Sequence, residues 1–256
     1  MSTETTEVLY LLGEQSRIVG ISGFTVRPPE ARREKPKVSA FTSAKIDQIL
    51  ALQPDLVLGF SNLQADMAAE LVRAGIAVHI FNQRSIAEIL SIIALVGAMV
   101  GKAQEAQQLI VHYQQQMDDI RAQAATFRLR PRIYFEEWDE PQICGIRWVS
   151  ELTELAGGID CFADIAVQSS AKQRIVSAEE VVRQQPDIII ASWCGKKFRA
   201  QHMRQRPGWE SIPAIANDQL FEIKSADILQ PGPAALTDGL KQLRAIVARW
   251  QENHRA

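Results

Sequence analysis

The apolar positions fall into short blocks separated by turn residues, and one arrangement of block and turn occurs twice. In the first copy a helical pattern over Ile46–Leu52 passes through Gln53, Pro54 and Asp55 into the run Leu56-Val57-Leu58-Gly59-Phe60. In the second, Val181–Gln185 passes through Pro186 and Asp187 into Ile188-Ile189-Ile190-Ala191-Ser192-Trp193. Proline ends each helix, because its ring clashes with the preceding turn and it has no N–H to continue the ladder. A run of four apolar residues after such a stop predicts a strand buried on both faces, the habit of parallel sheets. The copies stand about half a chain length apart, which predicts two α/β lobes of related build.

The same reasoning places further strands at Ile18–Ile21, Ala77–Phe81, Arg132–Phe135 and Leu220–Ile223, and helices at Gln64–Ala74, Val149–Ala156 and Ser177–Gln184. Gly75, and the pair Gly157 and Gly158, sit where helix C-caps are expected. Ser177 with Glu180, and Ser85 with Glu88, have capping-box spacing. Strands alternating with helices imply parallel sheets. Between the halves Ala106, Leu109, Ile110, Tyr113, Met117, Ile120 and Ala124 recur at three- and four-residue steps, predicting one amphipathic helix over Lys102–Phe127. At 1.5 Å per residue it is roughly 39 Å long, a rigid connection rather than a Gly/Ser hinge. The expected organisation is an N-terminal lobe over 1–84, linking helices over 85–130 and a C-terminal lobe over 131–256. After Pro233 a last helix carries the stripe Leu236, Leu240, Leu243, Val247 and Trp250.

Composition narrows the function. The 256 residues are 46% hydrophobic and 23% charged, which excludes a disordered or collagen-like chain. A formal net charge of −2 supplies no field to draw in nucleic acid or anionic lipid. The longest apolar stretch, Ile86–Val100, is interrupted by Glu88, Ser91 and Gly97 and is too short for a membrane span. Met1–Tyr10 has neither the basic nor the apolar region of an export signal, which on its own predicts a cytoplasmic or a truncated protein. Cys144, Cys161 and Cys194 have no CxxC spacing, so at most one bridge is expected. His79, His112, His202 and His254 are scattered and form no HExxH, and GxGxxG, P-loop and GxSxG motifs are absent. No metal site or catalytic cofactor is expected.

In open parallel sheets ligands bind beyond the carboxyl ends of the strands. Those ends are Phe24–Pro29, Phe41–Ser43, Phe60–Asn62 and Asn82–Arg84 in the first lobe, and Glu136–Pro141, Trp193–Lys197 and Lys224–Asp227 in the second. Aromatics, amides and charges occur at nearly every one, as a cleft for an extended amphipathic small molecule requires. Glu136, Glu137, Asp139 and Glu140 around Trp138 form the densest acidic cluster. It predicts either a solvated loop or the paired carboxylates of a cytosolic acid–base enzyme built on Glu136, Glu137 and Asp139. Strand alternation puts Glu136 with Tyr134 and Glu137 with Phe135. Trp193, Gly195, Lys196 and Lys197 combine a flat ring with cations, suited to stacking on a ring system and meeting an anionic group. Cys194 has no base beside it in sequence and is expected to line or support rather than react.

Together these features resemble a known family, the substrate-binding proteins of ABC importers for vitamin B12 and iron complexes. The resemblance rests on Ser2-Thr3-Glu4-Thr5-Thr6-Glu7, Val19-Gly20-Ile21-Ser22, Pro28-Pro29, Val38-Ser39-Ala40-Phe41, Ile49–Val57 and the Ala74-Gly75-Ile76 turn. It continues through Ser85–Ile89, Gly157-Gly158 and Pro186–Ile190, so that nearly the whole chain is covered. It implies two Rossmann-like lobes with parallel sheets joined by one long rigid helix, the class III periplasmic binding protein architecture. It also implies a non-enzymatic, monomeric, periplasmic protein that holds cobalamin or a related corrinoid between the lobes and delivers it to an ABC permease. An iron–siderophore complex or haem is the alternative ligand. By position, Phe41, Thr42, Phe60, Phe81 and Arg84 line the pocket from one lobe, and Trp138, Trp148, Trp193 and Asp227 from the other, with Arg84, Glu137 and Lys196 orienting the ligand. Asp66 and Glu179 stand near the acidic positions that dock on a permease. Phe60 replaces a tryptophan of the family, and Glu136–Pro141 and Trp193–Lys197 depart from the B12-binding pattern. Family members carry a strand just before the segment matching Ser2–Glu4.

Overall fold

A computed structural model describes residues 1–254, which group into two compact units. One comprises Met1–Gln83 with Ala87–Val111, the other Arg84–Ile86 with 112–254. The division falls inside the long helix, and the segment 85–130 is shared between the units.

The first unit runs α1 (Thr3–Leu11), β1 (Ile21–Ser22), α2 (Pro29–Glu34), β2 (Lys37–Ser39), α3 (Ile46–Ala51), β3 (Leu56–Phe60), α4 (Ala65–Arg73), β4 (Ala77–Phe81) and α5 (Ile86–Met99), then enters α6 (Ala103–Ala124). Its strands form two parallel pairs, β1 with β2 and β3 with β4, the latter in register from Leu56–Ala77 to Phe60–Phe81. Val38, Ile49, Val57 and Leu71 make its core, with a smaller cluster of Ile18, Ile21 and Ala31 beneath Leu9 and Tyr10 of α1.

Helix α1 was not expected from the pattern, because its buried face is polar. Ser2 caps it, accepting the Thr5 N–H at 3.2 Å and donating to Glu4 Oε2 at 2.6 Å, and Glu7 pairs with Arg27 at 3.1 Å. Each buried polar group thus trades water for a partner, the condition under which such a face can be covered. The strand expected at Ile18–Ile21 is instead Ile21–Ser22: Ile18 closes a 3₁₀ turn over Gln15–Arg17 through its N–H to the Gln15 carbonyl. Gly75, at φ +84°, ends α4, with the Ile76 N–H reaching back to the Leu71 carbonyl. Gly97 lets α5 and α6 touch, since a Cβ there would lie 2.3 Å from that of Ala106.

The second unit holds β5 (Arg132–Asp139), β6 (Gln142–Cys144), α7 (Arg147–Leu155), β7 (Ile159–Asp160), α8 (Ala163–Ala166), α9 (Ala178–Gln184), β8 (Ile188–Ala191), α10 (Ala200–Arg204), α11 (Pro213–Ala216), β9 (Leu220–Glu222), α12 (Ser225–Ile228) and α13 (Leu240–Asn253). These strands make one five-stranded sheet in the order β6-β5-β8-β9, with β7 on the first residues of β5. All pairings are parallel except β5 with β6. The Ser177–Glu180 capping box forms as the spacing predicts. Gly157, at φ +94°, and Gly158 end α7. A π-helical turn over Ala235–Gly239 precedes α13, and Gly239 is needed there because a Cβ would stand 2.5 Å from the Asp227 carbonyl oxygen.

Strand β5 is longer than expected. The acidic stretch read as a loop at a strand end is strand through Asp139, since β6 folds back and pairs with Glu136, Trp138 and Asp139. A solvated loop is therefore not what this segment is: Glu136 has no exposed surface.

Candidate functional site

The second unit builds its site on the outgoing end of β5. Alternation along the strand sends Glu136 to one face and Glu137 to the other. Glu136 lies among Tyr134, Trp193 and Arg206. It accepts the Tyr134 hydroxyl at 3.0 Å, the Trp193 indole N–H at 2.9 Å and two guanidinium bonds from Arg206 at 2.5 and 2.9 Å. Burial pushes its carboxyl above the ordinary range, with the Arg206 charge and the three donors pulling the other way. Arg206 also covers the face of buried Trp209, 4.5 Å from the ring centre. On the opposite face Glu137 binds buried Arg174 at 2.5 and 3.3 Å, and Arg174 also donates to the Cys144 carbonyl. Nearer the strand end, Asp139 pairs with Lys196 at 2.6 Å, and the Lys196 ammonium stands 4.4 Å above the Trp138 ring. The Trp138 indole donates to the Glu140 carbonyl at 2.9 Å. A cavity of about 550 Å³ opens beside this network, lined by Asp139, Gln142, Trp193, His202, Arg206 and Pro207 among others.

Of the positions expected to bind ligand, Trp193 is the one that lines this cavity, with its ring edge-on to Phe198 and 5% of its surface exposed. Trp138 and Lys196 stand together just outside it. Trp148 is buried in α7 and donates to the Ile228 carbonyl at 2.9 Å, one residue beyond Asp227, whose own carboxylate accepts from Gln242 at 3.1 Å. His202 and Arg206 line the cavity, and neither was singled out from the sequence. His202 lies in α10 and Arg206 just beyond its end, after the Trp193–Lys197 loop, and only the fold brings Arg206 back to β5.

The first unit presents an aromatic site at the carboxyl ends of β3 and β4. Phe60 and Phe81 are paired across the two strands, and Phe41 lies 6.4 Å from Phe60, ring centre to ring centre. Gln64, fully buried, ties these pieces together by accepting the Phe60 N–H and donating to the Phe41 carbonyl, both at 3.0 Å. Gly59 makes room for this side chain, since a Cβ there would stand 2.6 Å from Gln64 Oε1. Ser61 follows at φ +77°, a left-handed conformation that a non-glycine residue holds only where its surroundings compel it. Its N–H donates to the Phe81 carbonyl at 2.7 Å and its hydroxyl accepts the Leu63 N–H. Phe41 and Thr42 are exposed, Phe60 half-buried, and Phe81 buried against His79; Arg84, half-buried, belongs to the second unit. Gln64 is the part of this site that the sequence pattern did not reveal.

The three cysteines are free. Cys144 and Cys161 are buried, which pushes both thiols up to about 12, and Cys194 is exposed. No group of metal-ligating side chains occurs among the described residues, and no helix among them is long and apolar enough to cross a membrane.

Comparison with known proteins bears on the whole chain. The vitamin B12-binding protein of Vibrio cholerae is 26% identical over 249 residues, covering 95% of this chain and 86% of that one. The crystal structure of the periplasmic vitamin B12 binding protein of Vibrio cholerae superposes with a TM-score of 0.77 at 24% identity, over 98% of this chain and 96% of that one. The apo periplasmic heme-binding protein of Roseiflexus sp. RS-1 gives 0.81 at 22%, over 96% and 97%. The two structures share the fold, and with them the expected α/β class with parallel sheets and a long helix holds. The model of the periplasmic binding protein family matches residues 1–226, and the chain belongs to that family.

Proposed function

We propose that this protein is the ligand-binding component of an ABC-type importer and that its ligand is cobalamin or a related corrinoid. Its relative along almost the full chain is a vitamin B12-binding protein. The observation that carries the proposal is the set of aromatic rings at strand carboxyl ends in each unit, Phe41, Phe60 and Phe81 in one, Trp138 and Trp193 in the other. A corrin is a wide, flat ring with a polar amide edge. It is matched by ring faces for its plane and by a few fixed polar groups for its rim. Arg84, Glu137 and Lys196 serve the rim, with Thr42 beside Phe41, while Trp148 positions the turn that carries Asp227.

Binding fits the acidic cluster better than catalysis does. Glu136, Glu137 and Asp139 are each committed to a cation, Arg206, Arg174 and Lys196. A general acid or base needs a group free to exchange a proton with substrate. The ligand is therefore released unaltered to a permease, and the protein acts outside the cytoplasm, as a periplasmic or lipid-anchored component. The imidazole of His202 on the cavity wall favours a second ligand, haem.

Calorimetric titration with cyanocobalamin, cobinamide and haem tests the proposal. One-to-one binding of cyanocobalamin with Kd of about 1 µM or tighter is expected. Phe41→Ala and Trp138→Ala should each weaken it about tenfold or more, near 1.4 kcal/mol. Haem binding with no heat from either corrinoid moves the assignment to haem, and no heat from all three removes the tetrapyrrole class.

A further inference from the structure

Three features of the first unit converge on one side chain. Phe41 stands in a tight loop after β2, closed by the Ala40 N–H on the Ser43 carbonyl at 2.7 Å and by a bridge between Ser39 and Ala44. Phe60 ends β3, on a separate segment. The amide of Gln64 spans the two: Oε1 accepts the Phe60 N–H and Nε2 donates to the Phe41 carbonyl. Its surroundings make this placement possible. Gly59 leaves free the space that Oε1 occupies. Ser61, at φ +77° and ψ 144°, takes the chain through a conformation close to the one that only glycine adopts freely, and its carbonyl accepts the Gln64 N–H at 3.0 Å, which returns position 64 to Phe60. A strained residue, a missing Cβ and a fully buried amide thus serve one placement. Strain of this kind gathers where a geometry is used.

What is placed is the ring pair. Phe41 and Phe60 stand 6.4 Å apart, centre to centre, and are tilted by 42°. A flat group held between two rings needs a contact distance of about 3.5 Å on each side, about 7 Å in all. The two rings are therefore adjoining panels of one wall and not the sides of a slot. Phe41 is 39% exposed while its carbonyl is held from the buried side, so a buried bond aims an exposed ring. We propose that Gln64 is a positioning residue for ligand binding: its amide fixes Phe41 beside Phe60, so that one flat ligand face meets both rings together. The inference rests on the reading of these rings as ligand-binding. Without the amide the loop keeps its own closure but loses this hold on β3, and ordering the Phe41 ring then becomes a cost of binding.

The test is a double-mutant cycle with a ligand-free readout beside it. Gln64→Met keeps the length of the side chain and removes both hydrogen bonds. Kd is measured for the wild-type chain, Gln64→Met, Phe41→Ala and the double variant, with whichever of cyanocobalamin and haem the wild-type chain binds. Gln64→Met is expected to weaken binding about fivefold or more in the wild-type background and less than about twofold in the Phe41→Ala background, since a residue acting through Phe41 has nothing left there to position. Nuclear Overhauser contacts between the Phe41 and Phe60 rings should vanish in Gln64→Met, while those between Phe60 and Phe81 persist. Equal losses in both backgrounds overturn the proposal, and so does an intact Phe41–Phe60 contact in Gln64→Met. If the wild-type chain binds neither cyanocobalamin nor haem, the ligand assignment fails and the ring contact alone decides the role of Gln64. Should Gln64→Met not fold, Gln64→Asn takes its place, because its shorter amide does not reach both partners at once.

Discussion

The motif of helix, Pro-Asp and apolar strand appears once in each unit, and the two copies meet different fates. Ile188–Ala191 of β8 is buried at every residue, held between β5 and β9. Asp187 locks its start by accepting the Arg132 N–H at 2.8 Å and donating its own to the Arg132 carbonyl. Leu56–Phe60 of β3, by contrast, alternates between covered and partly open positions, with Leu56 exposed. The strands are alike in local sequence, so their own propensity does not explain the contrast. Neighbours do: among the described residues β8 has one on each side, β3 on one.

A second contrast runs through the polar groups. The second unit concentrates buried charge at the end of β5, whereas the first supports its aromatic site with the neutral Gln64. A carboxylate as buried as Glu136 is tolerable only while its cation and hydrogen-bond donors stay in place. An amide such as Gln64 needs a donor and an acceptor and no counter-charge.

The sharpest way to break the contrast is Glu136→Ala, which strands the partly buried Arg206 guanidinium without its partner. Urea unfolding should show a loss of about 3–5 kcal/mol, the usual result of removing one member of a buried pair. Next come matched truncations in the two strands. Ile189→Ala should cost about 2–5 kcal/mol, as for a fully buried aliphatic, and Leu56→Ala less than about 1 kcal/mol. Equal costs would mean that β3 is as enclosed in solution as β8. Gly59→Ala forces a Cβ to within 2.4 Å of Ile80 Cδ1 and 2.6 Å of Gln64 Oε1, and about 1–3 kcal/mol of destabilisation is expected. The smallest effect concerns the thiols. Thiolate is the reactive form, so with their pKa near 12 Cys144 and Cys161 should resist a disulfide reagent at pH 8 until the protein unfolds. Exposed Cys194 should react at once with no change in stability.

Much of the fold was visible in the pattern. Strands β3 and β4 coincide with the expected residues, and α6 and α9 fall within a few residues of theirs, because apolar period and proline or glycine punctuation are local signals. Helix α1 escaped because a buried polar face has no hydrophobic period. The extension of β5 through Asp139 escaped because four acids read as solvent-facing until β6 and three cations are seen around them. At the site the aromatics were legible as residues that end strands. Gln64, His202 and Arg206 were not, since what selects them is a partner brought near by folding.

By itself the sequence determined the class of fold, the repeated strand motif and the residues that close each strand, since these depend on contacts a few positions apart along the chain. Tertiary structure alone decided that Glu136 is buried and paired, that Gln64 bridges Phe41 and Phe60, and that β3 pairs with β4 while β8 sits between β5 and β9. Each of these depends on which distant segment arrives as a neighbour, and burial and hydrogen bonding are properties of neighbours.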